Sequence, residues 1–364
     1  MRMCESRPLF SIVVPVYNAG EYFQECMASL FGQTFDDYEI ILVDDGSTDT
    51  SSSACMEYLR EHSPKVRCVS QRNSGQIAAR MAGYHMCHGE YVLSVDSDDC
   101  LHENTLERLR DVILEYRPDV VEFGMSKSKE FQPRFNRPSL EMDWLLSGES
   151  IAAIYEQLAT DNWLNSMCSK AIKRDSLPMN IDFSSFSHIN KLEDLIQVLP
   201  VFERIESYYC MSDNLYFYRP NPNSITHTFY CEEIDQMSMA HNQLLEFSKR
   251  GEKRFMGLRL RSRVYSRNLG ISVWHMRRAC ENLLKEEALA EINRVAHMEF
   301  FSDSLASRDA LRSLRFDCIL LAKLAANGCY RMFWHVACVE NALSGLVWRA
   351  RSITELRTKE LFIA

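Results

Sequence analysis

The chain has 364 residues, enough for a sizeable core and more than one structural unit, and its 46% apolar and 25% charged residues exclude a disordered or fibrous protein. A net charge of −9 speaks against a general nucleic-acid binder, although residues 1–250 hold 22 basic against 38 acidic side chains and residues 251–364 hold 19 against 12. Thirteen cysteines form no C-x-x-C pair, no apolar run approaches the roughly 18–20 residues of a membrane span, and MRMCESRPLF lacks a signal-peptide core, so a reducing cytoplasm is expected.

Residues 10–16, FSIVVPV, are a β-branched apolar run and predict a buried strand. Asn18 is placed to cap a helix whose apolar side carries Tyr22, Phe23, Cys26, Met27, Leu30 and Phe31. A second strand over 38–43 runs into DDGSTD and then a helix through Tyr58 and Leu59. Residues 66–70 predict a third strand, 76–88 a helix, 91–95 a fourth strand, 101–116 a helix and 119–123 a fifth strand. This alternation predicts a parallel, doubly wound α/β sheet, in which ligands bind beyond the carboxyl ends of the strands. Three polar motifs, PVYN, VDDGSTD and VDSDD, fall at such ends. After a polar excursion over about 126–147, helices are expected at 149–159 and 190–204 and a Pro/Asn/Ser-rich loop at 216–228. From 233 onward the pattern is almost wholly helical.

Each motif alone has two readings. VDSDD is either a solvated acidic turn, with Asp99 favouring the dipole of the next helix, or an oxygen-only site for a hard cation such as Mg²⁺ or Mn²⁺. On extended backbone Asp96 and Asp98 point to one side and Ser97 to the other. An EF-hand loop is excluded, because its glycine and terminal glutamate are missing. VDDGSTDT is either a turn with Ser47 or Thr48 capping a helix, or a carboxylate presented to base and ribose donors. Tyr17 is either a core tyrosine or a platform for a base, and Glu193-Asp194 either a solvated first helical turn or a catalytic acid pair.

Taken in order and spacing, SIVVPVYN, VDDGSTD and NSGQIAARMAGYHMCHGEYVLSVDSDD resemble the family-two glycosyltransferases, closely over about 9–125 and more loosely through SMCSKAIKRDSL, residues 192–194 and YRPNPNSIT. The resemblance implies a GT-A fold, a Rossmann-like, mostly parallel sheet flanked by helices, and an inverting, metal-dependent enzyme that uses nucleotide sugars, UDP-sugars by preference. It implies Pro15, Tyr17 and Asp45 at the base and ribose of the donor, Asn73, Gly75 and Arg80 near the donor, and Asp96 with neighbouring Ser97 on the ribose side. Asp98 is implied as the ligand of Mn²⁺ or Mg²⁺, with Asp99 and His227 as further ligand candidates. Asp194 matches the catalytic base, and Arg219 and Ser224 match a loop that closes over the donor diphosphate. Two departures stand out: Leu192 precedes the acidic pair where glycine is usual, and Met81 follows Arg80 where asparagine is frequent.

The expected organisation is therefore a catalytic domain over 1–230 and a helical region over 231–364. The latter serves packing, homo-oligomerisation or docking on an anionic inner membrane surface, with Trp334 and Trp348 in the apolar face and Arg349 and Arg351 beside it. The expected partners are a nucleotide-sugar donor and a glycan or lipid-linked acceptor, with no nucleic acid. Among enzymes, a sugar nucleotidyltransferase would need a Gly-rich loop where YNAGEYF stands; outside enzymes, the alternative is a non-catalytic nucleotide-sugar or glycan binder.

Overall fold

The computed structural model describes residues 7–135, 138–220 and 228–340; Ser224, His227, Trp348, Arg349 and Arg351 lie outside them. Two compact units result, one of Met1–His227 with Gln243–Leu260, the other of Thr228–Asn242 with Arg261–Ala364. A single passage between 230 and 231 was expected; instead the segment Gln243–Leu260 belongs to the first unit.

In the first unit, β1 (Phe10–Val16) and β2 (Tyr38–Asp44) are buried along their whole length, which is why both read as unbroken apolar runs rather than alternating ones. With β3 (Val66–Ser70) and β4 (Tyr91–Ser94) they form a parallel half-sheet in the order β3-β2-β1-β4. The connections carry α1 (Tyr22–Phe31), α2 (Ser51–His62) and α3 (Gln76–Met86).

Beyond β4 the mostly parallel sheet becomes mixed. After β5 (Cys100–Leu101) and α4 (Thr105–Tyr116), β6 (Val120–Ser126) does not join β4. Between them lies β8 (Lys170–Lys173), antiparallel to both, which follows β7 (Trp144–Ser147) and α5 (Ala152–Thr160) in the chain. KAIK hides this strand from a hydropathy reading because Lys170 is a buried lysine. Its Nζ lies 3.7 Å from Glu122 Oε1 and donates to Ser166 O at 2.7 Å, and both charged side chains are fully buried. Removing either partner would strand a buried charge, so the pair fixes the Glu122–Lys170 register. Helix α6 (Glu193–Arg204) leads to β9 (Ser207–Phe217), which pairs with β5, β6 and β7. Tyr216 and Phe217, expected in a loop, close this strand, and they pair with Leu101, expected at the start of the helix over 101–116, and with Cys100 before it.

The second unit is helical, as expected: the start of α7 (Glu233–Arg254), then α8 (Leu260–Asn282), α9 (Lys285–Ala296), α10 (Glu299–Ala306), α11 (Arg308–Arg312) and α12 (Phe316–Ala326). Its core gathers Ile234, Leu269, Met276, Ile292, Phe301 and Leu321. Trp334, expected on an apolar docking face, is partly buried, with Lys285 Nζ 4.5 Å from its ring centroid. Among the described residues no helix is long and apolar enough to cross a membrane.

Candidate active site

The carboxyl ends of β1 and β4 are unpaired with each other beyond Val13 and Ser94, and Pro15 shows why. Val95 N–H still donates to Val13 O, so the odd residues of β1 face β4. Pro15 is the next such residue and has no N–H to offer, and the β1–β4 ladder ends at Val13 and Ser94. Tyr17, the residue after β1, is 51% exposed at this opening.

Around the opening the polar motifs bind one another. Asn18 is not a helix cap: α1 starts at Tyr22, and Asn18 (φ +49°) accepts the Thr48 N–H on Oδ1 at 2.8 Å. Ser51 Oγ accepts the N–H groups of Ala19 and Gly20 at 3.1 and 3.3 Å, fastening the PVYN turn to the DDGSTD loop. Neither Ser47 nor Thr48 caps α2, whose first N–H, that of Ser51, is taken by Asp49 Oδ1 at 2.9 Å.

Asp45 is buried and turned onto the third loop. Its Oδ1 accepts Gln71 Nε2 at 2.8 Å and Ser74 N–H at 2.9 Å, and its Oδ2 accepts Gly75 N–H at 2.9 Å. Two glycines permit this closure. A Cβ on Gly46 (φ +75°) would lie 2.8 Å from Asn73 N, and one on Gly75 (φ +86°) 2.6 Å from Ser187 O. Asn73 itself is exposed on the loop that Asp45 holds.

The three aspartates of VDSDD have different partners. Asp96 Oδ1 accepts Gln76 Nε2 at 2.8 Å and Arg80 Nη2 at 3.1 Å. Asp99 is buried and is no helix cap, since α4 begins only at Thr105. Its Oδ2 accepts the Tyr216 hydroxyl and its Oδ1 the Arg219 N–H, both at 2.7 Å, so it fastens the end of β9 to the acidic turn. Asp98 is only partly buried, and no side chain among the described residues donates to its carboxylate. Burial, and then the charge of Asp96, push its carboxyl above the usual range. A partly exposed, unpaired carboxylate strained by like charge fits a hard divalent cation. Among the described residues no group of three or more His, Cys, Asp or Glu side chains is placed to hold a metal ion. Ser97 is partly buried beside this turn.

Arg219 is held rather than free. Its Nε donates to Asp98 O and its Nη2 to Glu25 Oε2, both at 2.6 Å, and its guanidinium lies 4.5 Å from the Tyr22 ring centroid. Lys129 pairs with the same Glu25, and these two cations hold that carboxyl below its usual range.

Glu193 and Asp194 open α6, where acids suit the helix dipole. Leu192 before them has φ +61° and ψ 25°, the left-handed conformation that glycine adopts freely. Burial, and then Asp194, push the Glu193 carboxyl up to about 7. Asp194 is ion-paired with Arg80 Nη1, so one guanidinium joins the end of β4 to the start of α6. Sequence reasoning did not pick out Gln76, Gln197, Glu25 or Tyr216. Gln76 alone carried a local signal, its place in the first turn after Gly75.

These residues form a strand-end acid site facing a helix-borne acid pair, and similarity to known proteins agrees with that chemistry. Residues 11–177 match the profile of Glycosyl transferase family 2. The chain is 33% identical over 248 residues to the glycosyltransferase GlyG of Streptococcus pneumoniae, which spans 66% of this chain and 79% of that protein. The chain belongs to glycosyl transferase family 2. This transferase is also 30% identical over 230 residues to the uncharacterized glycosyltransferase EpsJ of Bacillus subtilis, over 63% of this chain and 66% of the relative. Its fold is that of the S. aureus TarS fragment 1–349 solved in complex with UDP-GlcNAc, with a TM-score of 0.66 across 92% of each chain at 17% identity. The GT-A architecture expected from the motifs is thus the one observed, with a helical C-terminal region.

Proposed function

We propose that this transferase moves a sugar, with inversion, from a nucleotide sugar to a hydroxyl of a glycan or lipid-linked glycan, as in cell-surface polysaccharide synthesis. The observation that carries the reading is the placement of Asp96 and Asp98 at the end of β4 and of Asp194 at the start of α6, joined through Arg80. UDP is the preferred nucleotide, in keeping with the TarS fragment solved with UDP-GlcNAc.

Pro15, Tyr17, Asp45, Asn73 and Gly75 form the donor side, with Tyr17 offering its exposed ring to the base and the Asp45-held loop shaping the ribose pocket. Asp96 and Ser97 face the ribose. Asp98 would hold Mn²⁺ or Mg²⁺, with Asp99 and His227 as further ligand candidates. When bound, such an ion supplies Lewis-acid stabilisation of the leaving diphosphate. Arg219 and Ser224 border the diphosphate. Asp194 takes the proton of the acceptor hydroxyl, whose oxygen bonds to the anomeric carbon as the bond to the diphosphate breaks. One displacement inverts the configuration and releases the nucleoside diphosphate.

We place the enzyme in the cytoplasm, with peripheral contact of its basic C-terminal region at the inner membrane face; homo-oligomerisation is the other use of that region. Flotation with anionic liposomes separates these uses: salt-sensitive binding supports docking, and its absence favours packing or self-association. For the activity, the full chain is incubated with UDP-, GDP- and dTDP-sugars, Mn²⁺ and glycan acceptors, and nucleotide release is measured. Release with one nucleotide class is expected. Donor binding without release from any donor would make the protein a nucleotide-sugar binder instead.

A further inference from the structure

The family resemblance puts Arg80 near the donor, but its surroundings assign it another task. The side chain is 1% exposed, so no face is left for a diphosphate. Each terminal nitrogen serves a different carboxylate: Nη2 donates to Asp96 Oδ1 at 3.1 Å, and Nη1 pairs with Asp194 Oδ1. Nη1 also donates to Gln197 Oε1 at 3.1 Å, one turn along α6 from Asp194, while Cys168 Sγ lies 3.5 Å from Nη2.

This arrangement is a poor choice for packing alone. Burying a guanidinium is unfavourable unless it is well paired, and an apolar side chain would fill the space at less cost. Among the described residues the buried Nε of Arg80 and the buried Nε2 of Gln197 have no acceptor, so the cluster gives up hydrogen bonding that cores normally keep. What it gains is a rigid planar fork spanning two carboxylates on different elements, which a lysine ammonium, a single point of charge, does not reproduce.

We propose that Arg80, steadied by Gln197, is a positioning residue that holds the donor-side Asp96 and the base Asp194 in one fixed frame. The proposal rests on the reading of Asp194 as the base. Arg80 acts through these carboxylates and does not touch the substrate.

The test is a double-mutant cycle with the donor found by nucleotide release. kcat, donor KM and the thermal midpoint are measured for Arg80→Met, Arg80→Lys, Asp194→Asn and the Arg80→Met/Asp194→Asn double variant. Displacing a catalytic group by about 1 Å costs on the order of 100-fold, so Arg80→Met is expected to lower kcat by about that factor and to raise donor KM only a few-fold through Asp96. In the Asp194→Asn background the same change is expected to lower the residual rate by no more than about 3-fold, because its target is already gone. Arg80→Lys is expected to keep the thermal midpoint near the parent's without restoring kcat. Full multiplication of the two losses would overturn the proposal, as would a lysine variant with the parent kcat. Should Arg80→Met fail to fold, Gln197→Leu replaces it, with a reduced kcat at unchanged donor KM expected and an unchanged kcat overturning the proposal. A parent protein that transfers nothing would instead refute the functional reading itself.

Discussion

Leu192 offers a direct check on how the acidic pair is presented. Its φ of +61° and ψ of 25° put a branched-chain residue in the left-handed region just before Glu193. For an L-residue this conformation costs roughly 1–2 kcal/mol, and glycine avoids that cost while losing roughly 0.5–1 kcal/mol more chain entropy on folding. Comparing Leu192→Gly with Leu192→Ala removes the side chain in both variants and isolates the backbone. Glycine should be the more stable of the two by about 0.5–1 kcal/mol. At an ordinary right-handed helical position the order would reverse, with glycine worse by about 1 kcal/mol. Urea unfolding at equal m-values, or thermal melting with an expected gap of about 1–4 °C, reads the difference. An alanine variant as stable as the glycine variant, or more so, would refute the left-handed assignment. Leu192→Gly should also keep transfer activity, because the start of α6 is unchanged.

Three further outcomes follow from the site. Gly75→Ala would place a Cβ 2.6 Å from Ser187 O at a φ of +86°, so it should destabilise by roughly 1–3 kcal/mol or more and weaken nucleotide-sugar binding, measured by melting and calorimetry. Asp98→Asn should raise the melting temperature of the metal-free protein at pH 7, because burial and Asp96 disfavour the Asp98 charge; added Mn²⁺ should stabilise the parent and leave the variant unchanged. Glu193, with its carboxyl raised to about 7, keeps a proton in the folded state that the unfolded chain loses near the ordinary 4.5. Stability of the donor-free protein should therefore fall as pH rises through that window, by on the order of 1–3 kcal/mol from this group, and Glu193→Gln should flatten the profile.

The front of the fold was legible because β1, β2 and β4 are apolar on both faces and end in polar motifs, so hydropathy and turn chemistry pointed the same way. Legibility failed where a residue's role is set by a distant partner. Lys170 reads as a surface residue until Glu122, buried opposite it across the sheet, supplies the missing charge. Asn18 looked like a cap because nothing local shows that the Thr48 N–H waits on the next loop. Arg80 matched a donor motif, but its carboxylates lie 16 and 114 residues away along the chain. Leu192 is the converse case: its oddity was visible in the sequence, and the backbone angle supplied the cause.

In the proposed mechanism the labour is divided, with Asp98 serving donor and metal and Asp194 removing the proton. The most direct measurement compares Mn²⁺-dependent nucleotide-sugar binding with sugar transfer in Asp98→Ala and Asp194→Ala. Asp98→Ala should lose metal-dependent binding, while Asp194→Ala should bind the donor like the parent and transfer at least about 100-fold more slowly. Transfer by Asp194→Ala at the parent rate would contradict this division of roles.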